Sequence, residues 1–206
     1  AVELLESFNI EKVTVNDYLN KKSNGPCFCQ LSVTDYIRRK DKKPFKQEEY
    51  FSKPEAFQSN FDLFSDKTDI LINAAYWDPR SPRLFEEDDI NENFKPKIIG
   101  DISCDINGAI PCTKIASTIE KPFFDYCIKT KKMEEPFTKK DNITIMSIDN
   151  LPSELPRDSS RYFGNILVQR ILPLLSSEGN EIIENATITK NGELTEKFQY
   201  LSDYII

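Results

Sequence analysis

The residues best suited to chemistry follow an apolar segment, Ile143–Ile148, and are Asp149 and Asn150. The apolar segment is typical of a buried strand, and ligands of open α/β sheets bind at the carboxyl ends of the strands. A carboxylate and an amide at such a strand end offer a ligand an acceptor and a donor. Asp149 is therefore our leading candidate for a catalytic residue, with Asn150 beside it. The alternative is that both residues only end a strand and shape a turn.

Two further apolar segments end in polar or small residues. Residues 69–77 form a run typical of a central parallel strand, and it passes into small residues around Asn73. Residues 97–105 form a second strand pattern that ends in the acidic stretch Asp101–Asp105. Because the carboxyl ends of parallel strands lie at the same edge of a sheet, we expect these two loops to converge with the loop of Asp149.

A proline-stiffened loop, residues 78–83, presents two guanidinium groups, those of Arg80 and Arg83. A guanidinium group binds a carboxylate or phosphate through two parallel hydrogen bonds, so this loop is a candidate for holding an anionic part of a substrate. The alternative is that both side chains are only solvated.

The composition indicates a globular protein. The chain has 206 residues, of which 39% are hydrophobic and 11% aromatic, enough for one domain with or without an appendage. The net charge of −7 argues against nucleic-acid or anionic-membrane partners. Because the sequence has no bilayer-length apolar run and no signal-peptide pattern, it favours the cytoplasm.

The chain contains no histidine, which excludes Ser/His and Cys/His nucleophilic machinery within it. Its five cysteines form no CxxC pair, so we expect neither a disulfide framework nor a metal site. Catalysis must therefore depend on carboxylates, Lys, Tyr or Cys, or on residues from elsewhere.

Helical and strand patterns suggest how these residues are positioned. Aromatic residues between Gln47 and Phe64 are expected to be core contacts. The other predicted elements are a helix at Val2–Phe8, strands at Lys12–Val15 and Ala109–Ile119, a charged loop at Lys129–Asp141, a long helix at Ser160–Leu175 bent at Pro173, and helices at Glu181–Ile188 and Leu194–Ile206 separated by a turn at Asn191–Gly192.

Four segments in this order resemble the lysine-pathway saccharopine dehydrogenases, and in particular their lysine-ketoglutarate reductase branch. That group is part of the superfamily of alanine dehydrogenase and the transhydrogenase nucleotide domain. The likeness covers roughly residues 1–176. The four segments are DILINAAYWDPRSPRLF (69–85), GDISCDINGAIP (100–111), ASTIEKPFF (116–124) and SIDNLPSELPRD (147–158).

The resemblance implies an α/β, Rossmann-like domain with a mostly parallel sheet and helices on both faces. It implies that hydride passes between a nicotinamide ring, of NAD or NADP, and the carbon of an imine or secondary amine that joins lysine and 2-oxoglutarate. The domains expected are a partial dinucleotide-binding domain, residues 1–176, and a helical tail, residues 177–206, that packs on it or on an N-terminal domain.

Site residues follow from the resemblance by position. Asp149 would lie beside the substrate amine as the catalytic carboxylate, with Asn150, Arg80 and Arg83 as substrate contacts. The residues expected along the cofactor are Asn73, Ala74, Ala75, Tyr76, Asp101, Ser103, Asp105, Ile148 and Leu151.

The sequence also departs from the family pattern. The glycine-rich turn that receives the pyrophosphate is absent and is expected, with the first strand, before Ala1. The family's catalytic Lys and His belong to a preceding substrate domain and match nothing here. Asp17 is a candidate for selecting NAD, whereas the reductase branch favours NADP.

Three hypotheses follow. The first is the cofactor-domain part of a saccharopine dehydrogenase-like oxidoreductase that is complete for catalysis only with an N-terminal portion. The second is a non-catalytic Rossmann-like binding or interaction module. The third is a related enzyme that acts on another amino acid, such as alanine. A small amino-acid or 2-oxo-acid substrate is expected in the first and third, and homo-oligomerisation is left open.

Overall fold

The computed structural model describes residues 1–20, 22–176 and 179–204. The chain forms two compact units, Ala1–Leu151 and Pro152–Ile206. The domain boundary predicted at 176/177 lies within the second unit and remains a prediction. Parts of the predicted tail and last helix lie outside the described residues, namely Ser177, Glu178, Ile205 and Ile206.

The first unit contains short helices and one five-stranded sheet. Two single 3-10 turns, Pro54–Ala56 and Glu87–Asp89, lie between its elements. In chain order the helices and strands are α1 (Val2–Ser7), β1 (Glu11–Lys12), α2 (Val15–Leu19), β2 (Cys27–Phe28), α3 (Val33–Tyr36), β3 (Ile37–Arg39), α4 (Gln47–Ser52), β4 (Phe57–Ser59), α5 (Asp62–Ser65), β5 (Ile70–Asn73), β6 (Ile98–Asp101), β7 (Phe123–Cys127), β8 (Lys132–Glu134) and β9 (Ile143–Met146).

The main sheet has the strand order β5-β6-β9-β7-β8. Strands β5, β6 and β9 are parallel, and β7 and β8 extend the sheet as an antiparallel hairpin. The α/β, Rossmann-like architecture is therefore confirmed, with three parallel strands at the positions where apolar segments predicted them. Strand β5, predicted to be a central strand, is instead at the edge of this sheet, where Ile70 and Ile72 are exposed. Two smaller strand pairs of this unit lie outside the sheet. The pair β1–β2 is parallel, and the pair β3–β4 is antiparallel.

Two sequence predictions for residues after β6 were wrong. Residues 129–141, predicted as a loop, contain β8. Charged side chains are usual on an edge strand, so this strand lacks the alternation of apolar and polar residues that would have identified it. Residues 109–119, predicted as an edge strand, form turns and make a single parallel bridge between Ser117 and Ile148. Pro111 interrupts this stretch and lacks the N–H that a continuous ladder would need.

The core lies against one face of the sheet. Ile99, Ile143 and Ile145 have no exposed surface, whereas Ile70 and Ile72, which lie on the opposite face, are exposed. Successive strand residues point to opposite faces, so the alternation within β5 and β6 separates the core from the exposed side. The buried cluster also contains Phe61, Phe64, Leu84, Phe85, Ile90, Phe94, Ile110, Cys112, Phe124 and Tyr126.

The aromatic segment contributes to this core as predicted. Phe57, Phe61 and Phe64 are almost fully buried, and Phe61 stacks on both Phe64 and Phe85. Phe51 is the exception, since it is exposed on α4. Pro54 starts a 3-10 turn that leads directly into β4, so the aromatic residues of this segment come from several short elements.

The N-terminal helix is confirmed at α1, but the strand predicted at Lys12–Val15 stops at Lys12. The Thr14 side chain accepts a hydrogen bond from the backbone N–H of Asp17 and caps α2. A Thr followed three residues later by an acid is a helix-start pattern, and it outweighs the β-branched composition of this stretch.

Helix α6 (Leu151–Glu154) begins at the last residue of the first unit. The second unit contains the predicted long helix as α7 (Pro156–Ile166), a π-helical segment (Leu167–Ile171) and α8 (Leu172–Leu175). Pro173 has no N–H for the preceding turn, and the adjacent π-helical segment accommodates that loss.

The remainder of the second unit differs from prediction after its first helix. Helix α9 (Glu181–Ala186) matches, and strands β10 (Thr189–Lys190) and β11 (Glu193–Leu194) then form a hairpin. Asn191 and Gly192 make the predicted turn, with φ values of 55° and 86° that a two-residue hairpin of this type requires. The predicted final α-helix is a 3-10 segment, Glu196–Tyr204.

Candidate functional site

Three strand ends meet at one edge of the main sheet. Strands β5, β6 and β9 are parallel and end at Asn73, Asp101 and Met146. Asn73 lies opposite Asp101 in the ladder, and Gly100 lies opposite Met146. The loops that carry the predicted site residues therefore leave the sheet side by side.

Asp101 is a buried carboxylate with two hydrogen-bond partners. Its side chain is 1% exposed. Its Oδ1 accepts a hydrogen bond from Asn73 Nδ2 at 2.9 Å, and its Oδ2 accepts one from Thr113 Oγ1 at 2.7 Å. Asn73 and Thr113 are also buried. Asp101 therefore joins β5, β6 and the loop that follows β6 from beneath the surface.

Ser103 extends this network to the loop after β5. Its hydroxyl lies 3.3 Å from Asn73 Nδ2, which donates to it, and it donates to the carbonyl of Ala75 at 2.8 Å. Ala75 is half-buried, whereas its two neighbours are exposed: Ala74 is exposed, and Tyr76 is 88% exposed. The loop thus has a fixed backbone and an open outer surface.

Cys104 links the loop after β6 to the loop after β9. Its φ of 52° lies in the left-handed region, which is uncommon for a residue other than glycine. Its thiol donates to the carbonyl of Ser147 at 3.0 Å, and the same carbonyl accepts the N–H of Ser117 at 2.8 Å. The Ser147 hydroxyl donates to the carbonyl of Ile115 at 2.7 Å. Ser147 thus fixes the start of the loop that carries Asp149.

The negative charges of three carboxylates act on the Cys104 thiol. Burial raises the pKa of Cys104, and the negative charges of Asp149, Asp101 and Asp105 raise the pKa further. Acid side chains from two different strand ends thus act on the same part of the sheet edge.

Asp149 and Asn150 lie on the surface of this edge. Both are exposed, and Asn150 has a left-handed φ of 51°, which Asn tolerates better than most residues. Within the part of the chain that the structure describes, no hydrogen bond or ion pair occupies the Asp149 carboxylate. Ile148 is buried beneath it and Leu151 is half-buried after it. Asp149 is thus held by a buried neighbour and faces outward.

The two arginines of the proline-stiffened loop already have acidic partners. Arg80 binds Asp78 through Nε at 3.0 Å and Nη2 at 2.7 Å, and these bonds lower the pKa of Asp78 to about 2. Arg83 donates to Glu86 at 2.9 Å and to the carbonyl of Asn107 at 3.1 Å. Binding of a substrate carboxylate by either arginine would require exchange of these partners.

Asp17, the candidate for selecting NAD, is in the first turn of α2. Its carboxylate accepts a hydrogen bond from the Thr14 hydroxyl at 2.7 Å and pairs with Lys22 at 3.1 Å. The hydrogen bond from Thr14, followed by that from Lys22, lowers the pKa of Asp17. Asp17 thus already serves as part of a helix cap.

Sequence reasoning missed three residues that support the site, Thr113, Ser117 and Ser147. All are buried hydroxyl side chains that bridge the loops. The signal that could have found Thr113 and Ser117 was the Asn107–Gly108 turn followed by Pro111, which indicates a loop that folds back onto the strand ends. Ser147 has no distinguishing local signal because its role depends on contacts distant in sequence.

Gly108→Ala is expected to displace Asp105 and to destabilise the protein by about 1–3 kcal/mol, because a Cβ at this position would overlap its surroundings. It would lie 2.4 Å from Asp105 Cβ and 2.8 Å from the Asp105 carbonyl oxygen. Gly25→Ala is the matched control, since nothing lies within 4 Å of its added Cβ. Urea unfolding of the two variants measures the difference, and equal stability would contradict the close approach.

The sheet topology and the loops at its carboxyl edge define a Rossmann-like α/β domain with an acidic candidate site. A family model described as "Alanine dehydrogenase/PNT, C-terminal domain" matches residues 34–199. The chain belongs to this family.

Curated relatives carry names from lysine metabolism. The chain is 31% identical over 199 residues to mouse (Mus musculus) "Alpha-aminoadipic semialdehyde synthase, mitochondrial", an alignment that covers 83% of this chain and 21% of that protein. It is 30% identical over 183 residues to the Arabidopsis thaliana protein "Alpha-aminoadipic semialdehyde synthase", covering 84% of this chain and 17% of that protein. It is 30% identical over 112 residues to "Saccharopine dehydrogenase [NAD(+), L-lysine-forming]" of Schizosaccharomyces pombe, covering 52% of this chain and 28% of that protein.

The chain therefore spans about a fifth of the length of the mouse relative. Among residues 1–20, 22–176 and 179–204, no helix is long and apolar enough to cross a bilayer.

Proposed function

We propose that this chain is the cofactor-domain part of an NAD(P)-dependent dehydrogenase of lysine metabolism, which transfers hydride at the C–N bond between lysine and 2-oxoglutarate. The observation that carries the proposal is the exposed Asp149 carboxylate, which lies with Asp105 at the carboxyl edge of the sheet. The names of the relatives from mouse and Schizosaccharomyces pombe support the choice of pathway.

Asp149 has a direct role in this proposal. The carbon that receives hydride belongs to an iminium, which carries positive charge, and a fixed carboxylate near that cation stabilises it. The Asp149 carboxylate is available for this contact because it faces outward at the site edge. Asn150 and the two arginines, Arg80 and Arg83, are proposed to contact the substrate, the arginines after exchange of their acidic partners.

The outer surface of the edge fits a flat nucleotide ring. Ala74 offers only a methyl group, and the Tyr76 ring is almost fully exposed beside it. When bound, the nicotinamide supplies or accepts the hydride. The residues proposed to position NAD or NADP, by direct contact or from beneath, are Asn73, Ala74, Ala75, Tyr76, Asp101, Ser103, Asp105, Ile148 and Leu151.

The acid–base groups are proposed to come from a substrate domain that precedes this region. The greater length of the relatives supports this division. The pyrophosphate turn is proposed to lie between that domain and this region, since the chain has only six glycines and no glycine-rich motif. The cytoplasmic location favoured by the sequence and the possibility of homo-oligomers remain predictions, which cell fractionation and light scattering test.

A substrate panel on the full-length protein tests the proposed function. We expect NADH or NADPH oxidation with lysine plus 2-oxoglutarate, and reduction of the matching oxidised nucleotide with saccharopine. Oxidation of NADH or NADPH with ammonia plus pyruvate, but not with lysine plus 2-oxoglutarate, would favour the alanine dehydrogenase alternative. The description of the family is the reason for including that alternative. Nucleotide binding without turnover of any substrate would favour the non-catalytic module.

A further inference from the structure

One buried carboxylate holds together the loops that carry the proposed site. We propose that Asp101, with Thr113 as its partner, is a positioning residue that shapes the nicotinamide nucleotide site from beneath and does not contact the nucleotide. This inference rests on the proposed function, because it assumes that the carboxyl edge of the sheet binds that cofactor.

The burial and bonding of Asp101 support this role. With 1% of its surface exposed, it has no face for a ligand, and each oxygen already accepts a hydrogen bond. One of these bonds fixes the Asn73 amide, which also reaches Ser103 at 3.3 Å. Ser103 in turn holds the carbonyl of Ala75. The carboxylate therefore determines the position of the exposed surface at Ala74 and Tyr76 through two further side chains.

The bond to Thr113 determines the other loop. Thr113 has no exposed surface, and its backbone carbonyl accepts the N–H of Asn107 at 2.9 Å. Asn107 lies within the turn that begins at Asp105, whose carbonyl accepts the N–H of Gly108 at 2.8 Å. Loss of the Thr113 hydroxyl would leave a buried carboxylate oxygen without a donor, so both the carboxylate and this loop would shift.

The same sheet provides a matched control. Thr144 is buried and donates through Oγ1 to Asp125 Oδ1 at 2.7 Å, the distance found between Thr113 and Asp101. Asp125 has no exposed surface. Thr144 lies opposite Ile98 in the ladder, three residues before Asp101 and on the opposite face of the sheet. Both pairs are buried hydrogen bonds from a threonine hydroxyl to an aspartate, but only one lies at the site.

The experiment compares Thr113→Val with Thr144→Val in the full-length protein. We expect both variants to lower Tm, because each leaves a buried carboxylate with fewer donors. We expect only Thr113→Val to raise the Kd for NADH or NADPH, by about tenfold, because the site loses its geometry. Fluorescence titration gives the Kd, and Thr113→Ser, which keeps the hydroxyl, is expected to restore it.

Equal nucleotide affinity in the wild type and Thr113→Val, or equal weakening in both Val variants, would overturn the inference. If Thr113→Val does not fold, Asp101→Asn is compared with Asp125→Asn: weaker binding only in the former supports the inference, and equal binding overturns it. A wild-type protein that binds neither NADH nor NADPH would refute the proposed function itself. Failure of the proposed function is therefore distinguishable from failure of this inference, because it is seen in the wild-type protein before any variant is compared.

Discussion

Replacing Asp149 by Ala in the full-length protein is expected to lower kcat for NADPH or NADH oxidation with lysine and 2-oxoglutarate by roughly 100-fold or more. The side chain is exposed at the site edge and supports no hydrogen bond or ion pair within the described residues, so its removal leaves packing intact. The loss should therefore fall on turnover, while Tm changes by no more than about 1–2 °C. Steady-state kinetics and calorimetry measure the two quantities.

Asp141→Ala is the matched control for this variant. Asp141 is also an exposed carboxylate flanking β9, but it precedes the strand, whereas Asp149 follows it. Turnover in Asp141→Ala is expected to stay within about twofold of wild type, since surface substitutions away from a site have small effects. Equal turnover in Asp149→Ala and wild type would remove Asp149 from the mechanism.

The largest expected loss of stability is that of Ile145→Ala, at about 2–5 kcal/mol, because truncation of a fully buried side chain loses transfer free energy and leaves a cavity. Ile145 has 0% exposure and lies in the central strand β9, opposite Ile99 in the ladder. Urea unfolding of the full-length protein, with the transition of this domain followed by hydrogen exchange, measures the change.

Ile70→Ala provides the comparison, since it removes the same atoms from the opposite face of the same sheet. Ile70 is 58% exposed on β5. We expect a change below about 1 kcal/mol for this variant, because most of its side chain is already in water. A larger loss for Ile70→Ala than for Ile145→Ala would contradict the assignment of the core to one face.

The sequence was sufficient to predict the parallel part of the sheet. Strands β5, β6 and β9 lie within apolar runs, which are typical of parallel strands. The antiparallel hairpin was less predictable: β8 is an exposed edge strand with charged residues, so its composition is that of a loop. Local pattern thus identifies strands made of apolar runs, including β5 at one edge of the sheet, better than the charged strand β8 at the other edge.

The candidate site was predictable in position but not in internal structure. The rule that parallel strands end at one edge was enough to place Asn73 near Asp101, and the structure shows a direct hydrogen bond between them. The bond between Asp101 and Thr113 could not be predicted, because the Asn107–Gly108 turn indicates that the loop folds back but not which of its side chains reaches the carboxylate. The ion pair between Arg80 and Asp78 could have been predicted from the sequence, since only one residue separates the two side chains.

Isotope transfer tests the central claim most directly. The full-length protein is incubated with NADH or NADPH that carries deuterium at the nicotinamide C4, together with lysine and 2-oxoglutarate, and the product is analysed by mass spectrometry. Both C4 hydrogens of the nucleotide are replaced by deuterium, because the transfer takes only one of them. We predict a secondary amine that joins the two substrates and carries deuterium at the carbon newly bonded to nitrogen. Formation of that amine without deuterium, or no such product with either nucleotide, would contradict a hydride-transfer site at this edge of the sheet.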